Sequence, residues 1–263
     1  MRKGLLILAV LFVPLMGFAQ TPVADLDWAC GARVGFSVDK KLMKGLHLVA
    51  DGQVRMVDNF ASVGRWDAGL GLSYKINKTF KVGGGYQFIH KANTAGEWIP
   101  RHRFYVDGTA SMKFGGWHFS LKEKLQLTHR DYNNTYENNP NSLALKSRLK
   151  VSYKGLDDWT PYGYVEVRNV FNDPTCSVTW NSVSGQYSNY TFTGYNDAYV
   201  NRVRGVIGTE WKINKQNALD FYLLGEYCYD KCLDVDKEGP TLKSLYYSQH
   251  IHAALCVGYN FSF

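Results

Sequence analysis

Beyond residue 20 the chain has no apolar run approaching the ~20 residues that a membrane-spanning helix needs. Its mean hydropathy of −0.28 argues the same way. Charge is sparse, at 20% of 263 residues, and there are only 7 Pro. No Gly-rich phosphate loop, Walker-like run or dinucleotide fingerprint is present, so no nucleotide or other cofactor is expected. What is abundant excludes disorder: 45% hydrophobic residues, 18 Tyr, 14 Phe, 7 Trp and 25 Gly, whereas disorder needs few aromatics and low hydrophobicity. At this length a single β-rich domain is the default.

The first residues read as an address. Met1-Arg2-Lys3 is a positive n-region, Leu5 to Met16 an apolar h-region, and Gly17-Phe18-Ala19 a small-residue cleavage site. Residues 1–19 are therefore expected to be a removed signal peptide, and 20–263 a single barrel domain. The net charge of +7 falls to +5 without Arg2 and Lys3.

The mature chain alternates with period two almost throughout. From Trp28 the even positions are apolar (Cys30, Ala32, Val34, Phe36, Val38), while Arg33, Ser37 and Asp39 fall between them. Trp66 to Ile76, Phe80 to Phe88, Phe104 to Phe114, Trp117 to Leu127 and later stretches to Phe263 repeat the pattern, giving eleven recognisable segments. Each runs to roughly ten residues, which suits strands that cross a membrane (~9–11) better than soluble strands (~5–6). Connections alternate between tight turns at 77–78, 115–116 and 214–216 and polar stretches at 91–99, 131–142, 172–198 and 230–248. Short periplasmic turns and long outer loops characterise outer-membrane barrels.

The expected fold is all-β: a transmembrane antiparallel up-and-down barrel of 10–12 strands. Twelve is favoured, because bacterial single-chain barrels have even numbers. A twelfth strand is sought in 172–198, at Ser177 to Trp180 or Tyr187 to Thr193. Trp28, Trp66, Tyr74, Trp117, Trp211 and Tyr259 are candidate interfacial aromatics. Gly258, Phe261 and Phe263 fit a G-x-x-Φ-x-Φ ending that resembles the outer-membrane assembly signal. The expected location is the outer membrane, with lipid and the assembly machinery as partners.

The polar parity places sixteen bases inside, among them Arg33, Arg55, Arg101, Lys124, Arg130, Lys146, Arg148, Arg168, Arg202 and Arg204. The acids there are fewer, with Asp67, Asp107, Glu166, Asp220 and Glu226 among them. This excess reads either as an ion-paired network filling a small barrel or as a narrow anion-favouring passage. The network is preferred, with Arg148, Glu166, Arg168, Arg202 and Arg204 as its candidate members. Because the charges alternate inward and form no exposed stripe, nucleic acid is not expected.

The run Leu70 to Tyr86, with Arg101-His102-Arg103-Phe104, Leu127-Thr128-His129-Arg130, Ser147-Arg148-Leu149, Pro161-Tyr162 with Glu166, and Arg202-Val203-Arg204-Gly205, resembles domain-of-unknown-function family 2490. The resemblance implies a Gram-negative outer-membrane barrel and no known substrate or functional residues.

Function is then expected to be structural or passive small-solute passage, anion-favouring if open, and not enzymatic. An alternative is partner binding through the outer loops. A second is a lipid-face hydrolase using His129 and Ser147 with Asn169 or Asn201, all at outward parity. His250 and His252 share a face, but no further ligand is placed beside them, so no metal site is assigned. Five Cys leave at least one unpaired; Cys176–Cys232 and Cys228–Cys232 are competing bridges.

Overall fold

The structure, a computed structural model, describes residues 23–93, 95–130, 139–183, 185–236 and 241–263. The expected signal peptide and most of the stretch 131–142 lie outside the described residues. Eleven strands follow one another: β1 (Val23–Met43), β2 (Leu46–Val57), β3 (Ser62–Lys75), β4 (Phe80–Ala92), β5 (Trp98–Phe114), β6 (Trp117–Arg130), β7 (Asn141–Tyr153), β8 (Trp159–Asn181), β9 (Gln186–Lys212), β10 (Asn217–Val235) and β11 (Leu242–Ser262). Each pairs with its sequence neighbours, and β1 meets β11 to close the barrel. Among the described residues no helix is long and apolar enough to cross a membrane, which says nothing about crossing by strands.

Two expectations are corrected. Among the described residues the strand count is eleven, not the favoured twelve, and one pair is parallel. In a meander the chain reverses at every turn, so an odd number of strands brings the first and last together pointing the same way. The β1–β11 seam accordingly runs parallel from Leu26↔Gln249 to Asp39↔Ser262. No further strand forms in 172–198. That stretch instead lengthens β8 and β9, the latter to 27 residues, into one protruding hairpin. Polar contacts support the extension. The Tyr199 hydroxyl donates to Asp173 at 2.7 Å, Lys231 Nζ reaches Asp197 at 2.7 Å, and Tyr187 donates to the Leu245 carbonyl at 3.2 Å. Likewise 230–248 is mostly strand, belonging to β10 and β11.

The tight turns follow from local chemistry. Asn77 Oδ1 accepts the backbone N–H of Thr79 and Phe80, both at 2.8 Å, and Asn214 Oδ1 does the same for Gln216 and Asn217 at 2.9 Å. These side chains mimic a backbone turn and suit two- to four-residue connections. Gly115 has a φ of 57°, a left-handed conformation that glycine adopts without strain. The connections at 44–45, 76–79, 115–116, 154–158 and 213–216 gather at one end of the barrel, together with Phe263. The four-residue turn at 58–61, the β8–β9 hairpin and the start of β1 lie at the other.

Alternation turns apolar side chains outward and polar ones inward. Val34, Phe36, Leu70, Val165 and Ile207 are exposed, whereas Arg33, Asp67, Glu166 and Glu226 are buried. The six aromatics singled out above all sit on the exposed face. A core of Val206, Leu224, Ala254 and Cys256 fills part of the interior, with Tyr162, Tyr164 and Tyr222 packed against it.

Candidate functional site: the charged lumen

Strand register decides which charges meet. One line across the wall runs Lys122↔Arg148↔Glu166↔Arg204↔Glu226 over β6 to β10. From Arg148 onward its signs alternate, and opposite charges directly across a ladder attract. Arg148 gives Glu166 Oε2 two bonds, 2.8 Å from Nε and 2.5 Å from Nη2. Arg204 Nη1 reaches Glu166 Oε1 at 3.1 Å, and Lys146 Nζ lies 3.6 Å from the same atom. Arg204 also turns its Nε (2.7 Å) and Nη2 onto Glu226 Oε2. Arg202 and Arg33 complete the surroundings of Glu226 at 3.5 and 3.7 Å. Glu166, Arg204 and Glu226 are only 3%, 7% and 6% exposed. Two carboxylates bridged by one guanidinium thus tie β1, β7, β8, β9 and β10 together.

Of the five network candidates from sequence, Arg148, Glu166, Arg202 and Arg204 come together in this way. Arg168 does not: its cross-strand neighbours are Lys146 and Arg202, and no described carboxylate lies within 4.0 Å of it. Glu226, named only as one acid among several, is the second hub. Its role depends on the β9–β10 register, which parity alone does not supply.

A second cluster occupies the opposite wall. Asp67 accepts Arg65 Nε at 2.8 Å and Gln87 Nε2 at 2.8 Å, and Arg55 stands 3.7 Å away. Arg103 extends the chain to Gln87 Oε1 at 3.2 Å and Thr128 at 3.0 Å. Between the walls lies a cavity of about 270 Å³, bordered by Arg33, Gln53 and Arg55 on one side and Arg148, Lys150 and Tyr162 on the other. Lys150 sits over the Tyr162 ring at 3.8 Å, and Tyr162 donates to Asp220 at 2.8 Å.

The hydrolase candidates are not brought together. His129 Nδ1 bonds to Asn141 Oδ1 at 2.8 Å. Ser147, six residues further along β7 and so about 20 Å away, donates to Glu123 Oε2 at 2.6 Å. Asn201 is a bulge residue opposite the Arg168/Asn169 register shift. It is buried with its amide on Asp230 at 2.8 Å, so the outward placement expected for it is corrected. Glu123 is the residue the sequence reading passed over: a carboxylate between Leu121 and Leu125 on the apolar parity of β6, legible there as an interruption.

Cys30, Cys228, Cys232 and Cys256 are free thiols, so neither expected bridge is formed. Cys228 and Cys232 lie four residues apart on the extended strand β10, about 13 Å, which is beyond disulfide reach. His250 faces Asp27 across the seam at 3.6 Å. Among the described residues no group of three or more His, Cys, Asp or Glu side chains is placed to hold a metal.

The C-terminal candidates zip onto β1. Gly258 lies opposite Gly35 and Phe261 opposite Val38. Phe263 accepts from Lys41 N–H at 2.8 Å and donates to the Asp39 carbonyl at 3.0 Å.

No curated protein matches the chain. A family model does match, over residues 34–232, from β1 into β10 and including every member of the lumenal hubs except Arg33. The chain belongs to the family described as protein of unknown function, DUF2490.

Proposed function

We propose that the protein is an exported outer-membrane barrel whose lumen is closed to large solutes by an ion-paired girdle and admits at most small anions. The observation that carries the reading is the buried Glu166–Arg204–Glu226 bridge, in which acids on β8 and β10 gather bases from β1, β7 and β9. The exposed apolar face supports insertion, since a closed barrel leaves no unpaired backbone edge in lipid. So does an apolar groove of about 960 Å³ on that face, where Gly205, Gly225, Ala253 and Cys30 fall in register and lipid tails would pack. Insertion would proceed through the assembly machinery, guided by Gly258, Phe261 and Phe263. The role is non-enzymatic.

Planar-bilayer conductance of the purified protein tests the reading, with Glu166→Gln beside it. The native barrel should show small, anion-selective steps or none. The variant, with guanidinium charge left unpaired, should melt lower and conduct more. A large native conductance, unchanged by the variant, would refute the closed girdle.

A second reading is partner binding at the β8–β9 hairpin. Its tip exposes Trp180 and Val183, the latter at 96%, and a protruding apolar tip suits contact with another surface.

A further inference from the structure

The line next to the alternating one has a different composition. Two residues closer to the protruding hairpin, the same wall reads Lys124↔Lys146↔Arg168↔Arg202 across β6 to β9. Four bases stand in register with no acid among them, and like charges directly opposite one another destabilise a sheet. A further pair, Arg101↔Arg130, lies opposite across β5 and β6 on the same lumenal parity. Arg168 is within electrostatic reach of both Arg130 and Arg202, so these groups form one field.

Carboxylates do not resolve it. Lys146 and Arg202 reach Glu166 and Glu226 only at 3.6 and 3.5 Å, and both acids are already held more closely by Arg204. Asp107 stands opposite Lys124 at the β5 end of the line but is bridged by Lys122 at 3.1 Å; Asp173 and Asp230, near Arg168, are bonded by Tyr199 at 2.7 Å and by Asn201 at 2.8 Å. Arg101, Arg130 and Arg168 have no carboxylate within 4.0 Å among the described residues. The Nε atoms of Arg101, Arg130 and Arg202 are buried and lack a hydrogen-bond partner. An orphaned buried guanidinium donor is costly, and three on strands of one lumenal field point to an absent acceptor.

We infer that this basic field is a binding site for a soluble, multiply charged phosphate-type anion, entered from the hairpin end of the lumen. Planar guanidinium forks match the paired oxygens of such a group. The alternating line would form its floor. The inference does not depend on conduction or on membrane insertion: a barrel that passes no ion could still hold the anion.

The test uses the full folded chain in detergent micelles, with inorganic pyrophosphate as probe and sodium chloride at matched ionic strength as reference. Native protein should gain melting temperature saturably with pyrophosphate. Arg168→Gln should melt no lower than native protein in chloride, since it relieves like-charge crowding. It should weaken pyrophosphate binding about ten- to a hundredfold, the loss of one charge-assisted contact. Arg101→Gln should do the same, and it carries the test if the first variant fails to fold. Lys75→Gln, at the short-turn end, should leave binding unchanged. Phosphatidic acid in the micelles should not reproduce the shift, because the site opens to the lumen and not to the lipid face. An equal shift in chloride, retention of binding in both Arg variants, an equal loss in Lys75→Gln, or a shift with phosphatidic acid alone would each overturn the inference.

Discussion

Two neighbouring lines on the same lumenal wall differ only by a step of two residues, yet one alternates in sign and the other is uniformly basic. Arg148, Glu166, Arg204 and Glu226 give each guanidinium a carboxylate across the ladder. Lys124, Lys146, Arg168 and Arg202 give each base another base. Both lines cross the same strands β7, β8 and β9 on the lumenal face, so the contrast lies in which residues the register sets in line. The alternating line couples strands. The uniform one opposes their approach, and a fold keeps such a cost where something other than stability is served.

The largest expected break comes from Glu226→Gln. It leaves Arg204, Arg202 and Arg33 without their shared acid in a buried site, a loss of about 3–5 kcal/mol. Thermal unfolding of the refolded protein measures this, and a loss below 1 kcal/mol would erase the distinction between the lines. Next is Leu125→Arg, one residue from Lys124 but on the outward parity. If that face meets lipid, arginine there costs about 2–4 kcal/mol while Leu125→Ile costs little, as titration of folded barrel in vesicles would show. Smaller and opposite in sign is Arg168→Glu. A carboxylate set between Lys146 and Arg202 should stabilise by about 0.2–1 kcal/mol, and a clear destabilisation would mean that the uniform line is not under repulsion. Smallest of all, Trp180→Ala at the hairpin tip should change stability by less than about 0.5 kcal/mol. A larger drop would show that the tip packs into the barrel.

Much of this was legible from the residues. Period-two alternation located all eleven strands, because a two-sided environment imposes it on every one. Parity likewise singled out Glu166 as an acid surrounded by bases. What parity cannot convey is lateral register. Without it Arg168 looked like a partner of Glu166, although it lies two residues further along β8, opposite Arg202. The even-number rule misled in another way. The stretch 172–198 carries Thr, Tyr and Asn on both parities, so it reads as a loop large enough to hide a strand. It is instead a hairpin extension held by Tyr199, Asp173 and Lys231.

The parallel seam also bears on how the chain reaches its final form. Every other pairing joins sequence neighbours through one turn, but closure sets Cys30 beside Ala253. Ten pairings are therefore local and can zip progressively, while the eleventh must wait for nearly the whole chain. Contacts of such sequence separation are formed late and slowly. Until then β1 and β11 are free edges, and an unpaired edge is a template for another chain. A molecule that lost β1 would leave β11 open along the row from Gln249 to Ser262, ready to take the corresponding strand of a second molecule.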